Sequence, residues 1–346
     1  MISRLLRALR RAAHFWVDIT SDREPPLVLG VFRIVLGVVL LGSLLSAYGS
    51  GVLESMWVDV RDGGALHLGE GSFWVALLGG PTRQVTFTLF GFALAAGTLV
   101  TLGLAGRLPY LIAGQAYDSL VRINPDTTGA YDSMITNALF LLLFSGANAT
   151  LSLDCRRKSG SWTSEAAIPA WPRYLLIFQL LVIYGATGLQ KVSHTWTPFG
   201  GYSALYWVFQ DPTWRRFDLG FSAFVYPLLV AGTAASWHFE IAAPGLLLYY
   251  YARRTPAPGG RVMGVLRRWD LRKPFAAIGI GLHVGVLIFL NVGPFSFISL
   301  AYYLALLRPH EMHGVIARAR RRQASGGAGV GRADGELGRR SQTEAT

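Results

Sequence analysis

Eight apolar stretches, most of them about 20 residues long, constrain what this chain can fold into. They fall at roughly 27–48, 83–104, 108–123, 131–151, 172–192, 222–251, 274–292 and 294–308. Hydrocarbon offers no partner to a backbone N–H or C=O, so each stretch is expected to pair its own polar groups as a helix. The expected fold class is therefore all-α: a polytopic transmembrane helix bundle of about eight spans. Composition agrees, because 52% hydrophobic and only 15% charged residues, with a mean hydropathy of +0.37, lie far from the balance of a soluble domain.

The cations orient these spans. Basic clusters stand at Arg4, Arg7, Arg10 and Arg11, at Arg156, Arg157 and Lys158, from Arg253 to Lys273, and in the C-terminal tail. Eight crossings put all four on one side, together with the link from Gly103 to Arg107. Short loops rich in Lys and Arg stay in the cytoplasm, so both termini are expected there. Three regions follow: a basic amphipathic cytoplasmic segment over 1–26, the transmembrane domain over 27–308, and a basic, largely disordered cytoplasmic tail over 309–346. Residues Arg4 to Phe15 are expected to lie flat on the leaflet. Their long basic part, followed by a full-length apolar span, does not read as a cleaved signal peptide.

The net charge of +12 sits beside the spans and in the tail. Orientation and anionic lipid account for it, so the bilayer, not nucleic acid, is the expected partner. Cys155 is the lone cysteine. It rules out an intrachain disulfide and a thiolate metal site, and no metal is expected. The excess of Arg over Lys and the wealth of Gly and Ala point to a bacterium with GC-rich DNA, hence to the bacterial inner (plasma) membrane.

Within the spans, Lys191 needs a reason, because it ends an almost unbroken apolar run from Tyr174. Such an amine snorkels, pairs with an acid, or loses its proton. Glu240, deep in the sixth span, is expected to be protonated or paired. His283 sits mid-span among small residues that admit a neighbour. The loop from His194 to Leu219 carries Trp196, Phe199, Tyr202, Tyr206, Trp207, Phe209 and Trp214, and is expected to lie in the interface or to cover a cavity mouth. Arg33 is expected to snorkel or to pair with Asp18 or a lipid phosphate, and Asp118 with Arg122 to form an i, i+4 salt bridge. Asp132 and Asn137 are expected to face the Lys191 cavity, and Asp62, before two glycines, to mark a turn.

The run Tyr184-Gly-Ala-Thr-Gly-Leu-Gln-Lys191, then Trp196, then Gly201-Tyr202-Ser203-Ala204-Leu205, resembles the lysine motif of the HTTM (horizontally transferred transmembrane) family. That membrane domain is shared with vitamin K-dependent gamma-glutamyl carboxylase. Further matching pieces run from Phe32-Arg33 and Leu36-Gly37 through Asp62-Gly63-Gly64, Leu102-Gly103-Leu104, Ser152-Leu153-Asp154 and Glu240 to His283 and Phe295-Ser296. In the carboxylase the corresponding lysine deprotonates vitamin K hydroquinone. After reaction with oxygen, this yields a base strong enough to take a proton from a peptide glutamate, to which CO2 adds. The resemblance thus implies a carboxylase-like enzyme acting near the extracytoplasmic face, with reduced vitamin K or another quinol as cofactor and a secreted protein or peptide as substrate. Lys191, His283 and Glu240 become the candidate catalytic residues, and Tyr184, Trp196, Tyr202 and Tyr131 the candidate quinol contacts. The resemblance departs at two points. Tyr131 stands where the carboxylase has a histidine, and the carboxylase's large extracytoplasmic domain has no counterpart in these residues.

Two other classes stay open. Buried polar residues equally suit a transporter, with Glu240, His238 and His283 as a relay, and the basic faces suit a non-catalytic scaffold. An enzyme predicts a closed, mostly apolar pocket holding Lys191; a transporter predicts a polar path toward both sides; a scaffold predicts Lys191 at the headgroups without a cavity.

Overall fold

The computed structural model describes residues 14–255, 260–315 and 317–318, so most of the expected amphipathic N-terminal segment and the tail beyond 318 lie outside the described residues. Those up to Leu306 form one compact unit and those from Leu307 a second.

All eight apolar stretches are helical. Helix α1 is Leu27–Gly49, α2 Arg83–Leu102, α3 Leu108–Val121, α4 Ala130–Leu143 and α5 Trp171–Gln190; α6 Tyr226–Ala242 continues through a 3-10 turn, Ala243–Gly245, into α7 Leu246–Arg254; α8 is Arg272–Phe289 and α9 Phe295–Tyr303. Proline sets several starts, where its missing N–H costs nothing: Pro109 opens α3, Pro172 α5 and Pro227 α6. Thr82 caps α2 through the N–H of Val85 (3.2 Å). Among the described residues four helices, α1, α2, α5 and α8, are long and apolar enough to cross a membrane. Helices α3 and α4 have 14 residues each. At about 1.5 Å per residue they fall short of a core about 30 Å thick. The expected stretch 108–123 runs two residues past the end of α3, and 131–151 runs past α4 through the left-handed Gly146 and the 3-10 turn Ala147–Ala149.

Helix α1 runs through the middle of the core, burying Leu29, Phe32, Leu36 and Leu40. Close approach to α2 needs glycine: a Cβ on Gly37 would lie 2.2 Å from Thr101 Oγ1.

One end of the unit is tied by arginines. Arg33 is 0% exposed and donates to the carbonyls of Val100, Thr101 and Leu151. The expected snorkelling is thus replaced by a buried cap, in which the guanidinium joins two carbonyls of the last turn of α2 to that of Leu151. Gly103, at φ 65, makes this possible, since a Cβ there would strike Arg33 Nη1 at 2.5 Å. A two-stranded ladder, β1 Arg23–Glu24 with β2 Ile168–Pro169, joins the entries to α1 and α5. Behind it Arg173 grips Glu24 (2.6–2.9 Å) and donates to Ala305 O (2.9 Å). Arg272 donates to Leu306 O and Asp270, and Arg254 pairs with Asp22. Asp154 receives Gly106 N–H (2.8 Å) and Ala105 N–H (3.2 Å).

At the other end lie Lys191, the turns after α1 and α3, and the link from α8 to α9. Asn124 donates to Met56 O (3.0 Å), Trp214 O accepts Asn291 N–H (2.7 Å), and Gly293 lies against the Tyr131 ring.

Candidate functional site

Lys191 follows α5 directly, at its C-cap. Two glycines on α5 decide what it meets. A Cβ on Gly185 would lie 2.6 Å from Pro244 Cγ, and one on Gly188 would lie 2.8 Å from Ile241 N and 2.9 Å from Glu240 Cβ. Bare backbone at 185 and 188 lets α6 settle against α5, as small residues do between membrane helices. Glu240 is thereby brought beside Lys191, with Nζ 2.5 Å from Oε1. The Trp196 ring completes the contact, its centroid 4.3 Å from Nζ, in cation–π geometry. The Lys191 side chain retains 23% exposure and that of Glu240 10%. Ser236 adds a 3.4 Å contact to Oε1, while Oε2 is buried without a hydrogen-bond partner. Of the three fates open to Lys191 and the two open to Glu240, pairing is the one the structure adopts.

About two turns deeper on α5, the Tyr184 hydroxyl lies 2.7 Å from His283 Nε2 and 2.6 Å from the Tyr303 hydroxyl. Phe239 and Phe275 pack edge-on against the Tyr184 ring. Gly279 makes room, because a Cβ there would lie 1.6 Å from the Tyr303 oxygen. Nδ1 of His283 is buried and unpaired. Lys191, Glu240 and Trp196 thus form one polar group, and Tyr184, His283 and Tyr303 a second. Phe239, adjacent to Glu240 in sequence, touches the second through Tyr184.

A family model described as the HTTM domain matches residues 22–256, a segment that holds Lys191, Trp196, Tyr202 and Glu240. The chain belongs to the HTTM domain family. With membership comes the relation to the membrane domain of vitamin K-dependent carboxylase. No curated protein and no solved structure matches the chain.

The remaining expected residues of the HTTM domain fall into two sets. Tyr202, with a left-handed φ of 53, sets its ring against Trp237 and His238 on α6, the helix that carries Glu240. Tyr131 instead lies by the turn between α8 and α9, and no contact among the described residues joins it to Lys191. Asp132 accepts the Tyr117 hydroxyl (2.5 Å) and the Gly129 N–H (2.7 Å). With Asn137 it lines a cleft of about 940 Å³ between α3 and α4, so the expectation that both face Lys191 is corrected: their helix turns that side toward α3. The Asp118–Arg122 bridge forms as expected, at 2.7 Å. Lys191 lines neither this cleft nor three others of 400–590 Å³.

The aromatic loop holds a short helix, Ala204–Gln210. Phe209 turns inward onto Leu219, Leu229 and Leu290, whereas Phe199 is 86% exposed. Tyr303 was not expected from the sequence, where it reads as one more aromatic at the end of an apolar run; Gly279, on the face of α8 that carries His283, was its only trace. Asp59 was also missed. It organises the turn before Asp62 by accepting the N–H of Arg61 (3.0 Å) and of Leu68 (2.8 Å), which hold its carboxyl below the usual carboxylate range.

Proposed function

We propose that this HTTM protein is a carboxylase-like membrane enzyme that uses the Lys191–Glu240 pair as its proton acceptor toward a quinol, near the extracytoplasmic face of a bacterial inner membrane. The proposal includes eight crossings with both termini in the cytoplasm. The observation that carries it is the 2.5 Å contact between Lys191 Nζ and Glu240 Oε1, within a motif that resembles that of the carboxylase. An amine and a carboxylate this close form one acceptor with a single proton between them. When that proton passes to Glu240 and the carboxyl O–H turns off Nζ, the single Nζ lone pair takes the proton of a phenolic hydroxyl as its O–H bond breaks, and the ammonium formed is beside a hydrogen-bonding oxygen.

The fit to a reduced vitamin K or another quinol rests on two features. Glu240 Oε2 is a buried acceptor without a donor, a vacancy a phenolic hydroxyl fills. The Trp196 face beside Lys191 and the Tyr202, Trp237 and His238 group next along α6 offer surfaces for a flat ring. When bound, the quinol supplies, after reaction with oxygen, the strong base needed to remove a proton from the γ carbon of a glutamate in a secreted protein or peptide. Trp196 and Glu240 orient Nζ, and the Tyr184–His283–Tyr303 group fixes the helix register behind them.

One observation suits the scaffold reading: the Lys191 side chain keeps 23% exposure, as an amine at the headgroups would. Membranes carrying the protein, given labelled bicarbonate, reduced vitamin K and a glutamate-containing peptide, decide between the two. The enzyme reading expects incorporation that needs the quinol and falls at least about 100-fold in Lys191→Ala. Label that never enters the peptide, from folded protein and with several peptides and quinols, supports the scaffold.

A further inference from the structure

The cleft between α3 and α4 lies at the same end of the molecule as Lys191 but is lined by other residues. Two helical stripes run into it from deeper in the bundle, and their polar ends line it. On α3, Leu111, Gln115, Asp118 and Arg122 follow one another at spacings of three or four residues; on α4, Ser133, Asn137, Phe140 and Phe144 do the same. Both stripes read polar at the loop end and apolar deeper in. Gln115, Asp118, Arg122, Ser133 and Asn137 line the cleft, and below them Leu111 and Phe140 are 47% and 62% exposed. Gln115 and Asn137 each stand about 10 Å inside the end of their helix, one turn from these exposed apolar side chains.

Amides on an open face at that depth are costly unless something polar meets them, and the charges of Asp118 and Arg122 stand just above them at the loop end. Several of these groups are uncommitted. Trp74 Nε1–H occupies Gln115 Oε1 (3.0 Å), which leaves the Gln115 amide NH2 free to donate. Arg122 uses only Nε on Asp118 Oδ2, leaving both Nη groups and Asp118 Oδ1 without partners among the described residues. The Asn137 amide and the Ser133 hydroxyl have none either. Asp132, also in the lining, already has a donor on each oxygen, Tyr117 on Oδ1 and Gly129 on Oδ2.

We propose that this cleft is a lipid site for a zwitterionic phosphoethanolamine headgroup, with an acyl chain laid along Leu111, Phe140 and Phe144. The Arg122 Nη groups take the phosphodiester oxygens, and Asp118 Oδ1 with the Asn137 amide oxygen takes the ammonium hydrogens. The charge pattern selects the class. The lining offers one cation and one uncommitted carboxylate oxygen side by side, which complement a headgroup carrying both signs. A phosphoglycerol headgroup leaves Asp118 without a cation, and a choline has no N–H to give. Phe73 and Trp74, packed edge to face at the rim, sit where aromatic rings border a headgroup.

Native mass spectrometry of the detergent-solubilised full chain tests this, with phosphatidylethanolamine, phosphatidylglycerol and phosphatidylcholine added in equal amounts. One phosphatidylethanolamine is expected to stay bound in preference to the others. Arg122→Ala and Asn137→Leu, separately, are expected to weaken its retention about fivefold, the scale of one charge-assisted hydrogen bond in a half-exposed site. Both positions are on the surface, and unchanged circular dichroism confirms that the variants fold. Soluble phosphoethanolamine at the same concentration is expected to leave the lipid in place. Equal retention of all three lipids, preference for phosphatidylglycerol, retention indifferent to both substitutions, or displacement by the soluble headgroup would each overturn the assignment.

Discussion

The two ends of this helix bundle bury charge in opposite ways. At one, Arg33, Arg173 and Arg272 spread their donors over helix-end carbonyls and carboxylates, and of these guanidinium groups only Arg33 Nε lacks a partner. At the other, Lys191 meets a single carboxylate, and the buried polar atoms Glu240 Oε2 and His283 Nδ1 have nothing to bond. A guanidinium presents five donors in a rigid fork and can saturate several acceptors at once; an ammonium and a carboxylate with one contact cannot. The first end is built to hold helices in register. The second keeps capacity for something the chain does not itself provide.

That contrast is open to breaking from either side. The largest stability effect is expected at the saturated end. Arg173→Ala strands the Glu24 carboxylate and Ala305 O inside the protein, and a loss of about 3–5 kcal/mol is expected because a buried charge loses its partner. Thermal unfolding in detergent, followed by circular dichroism, reads it. If Arg173→Ala melts with the wild type, the arginines are not staples. Lys191→Ala leaves Glu240, whose side chain is 10% exposed, without its cation; because Lys191 makes one contact where Arg173 makes several, a smaller loss of stability is expected, together with loss of quinol-dependent incorporation.

A smaller effect is expected from Gly188→Ala. The new Cβ meets Ile241 N and Glu240 Cβ inside 3 Å, so α6 must shift away from Lys191 at a cost of about 1–3 kcal/mol. Activity is expected to fall further than this instability explains, a gap visible when the variant is assayed well below its melting temperature. Full activity would separate the Lys191–Glu240 contact from the chemistry.

The smallest effect concerns the turn at Asp59. Its carboxyl is held low by the N–H groups of Arg61 and Leu68, so its contribution is fully present above the unfolded value, about 3.9, and is lost as pH falls through the lower folded value. The protection of the Leu68 N–H, relative to its intrinsic exchange, is therefore expected to fall as pH drops through that lower value, and Asp59→Asn to show the lower protection already at neutral pH. Exchange at Leu68 that ignores both would remove Asp59 from the turn.

Much of this could be read from local sequence. The eight helical stretches follow from apolar length, and the Asp118–Arg122 bridge from spacing. The fate of Glu240 followed from cost alone, since a carboxylate in an apolar helix has few ways to persist. What stayed hidden depends on which helix faces which. Arg33 reads as a snorkelling residue until α2 and the Leu151 turn are set around it. Asp132 and Asn137 read as site residues until α4 turns them toward α3. Tyr303 carries no mark of its own, and its role appears only when Gly279 on another helix clears a place for its oxygen.

That trio, Tyr303, Tyr184 and His283, has a direction. If His283 Nε2 accepts, Tyr184 gives its hydrogen to the imidazole and Tyr303 gives its own to Tyr184; if Nε2 carries the hydrogen, both hydroxyls point the other way. Moving one proton across the imidazole ring therefore reverses every hydrogen along the line and turns the orphaned Nδ1 from donor to acceptor. Three side chains from three helices behave as a single dipole with two settings, and whatever meets Nδ1 selects between them.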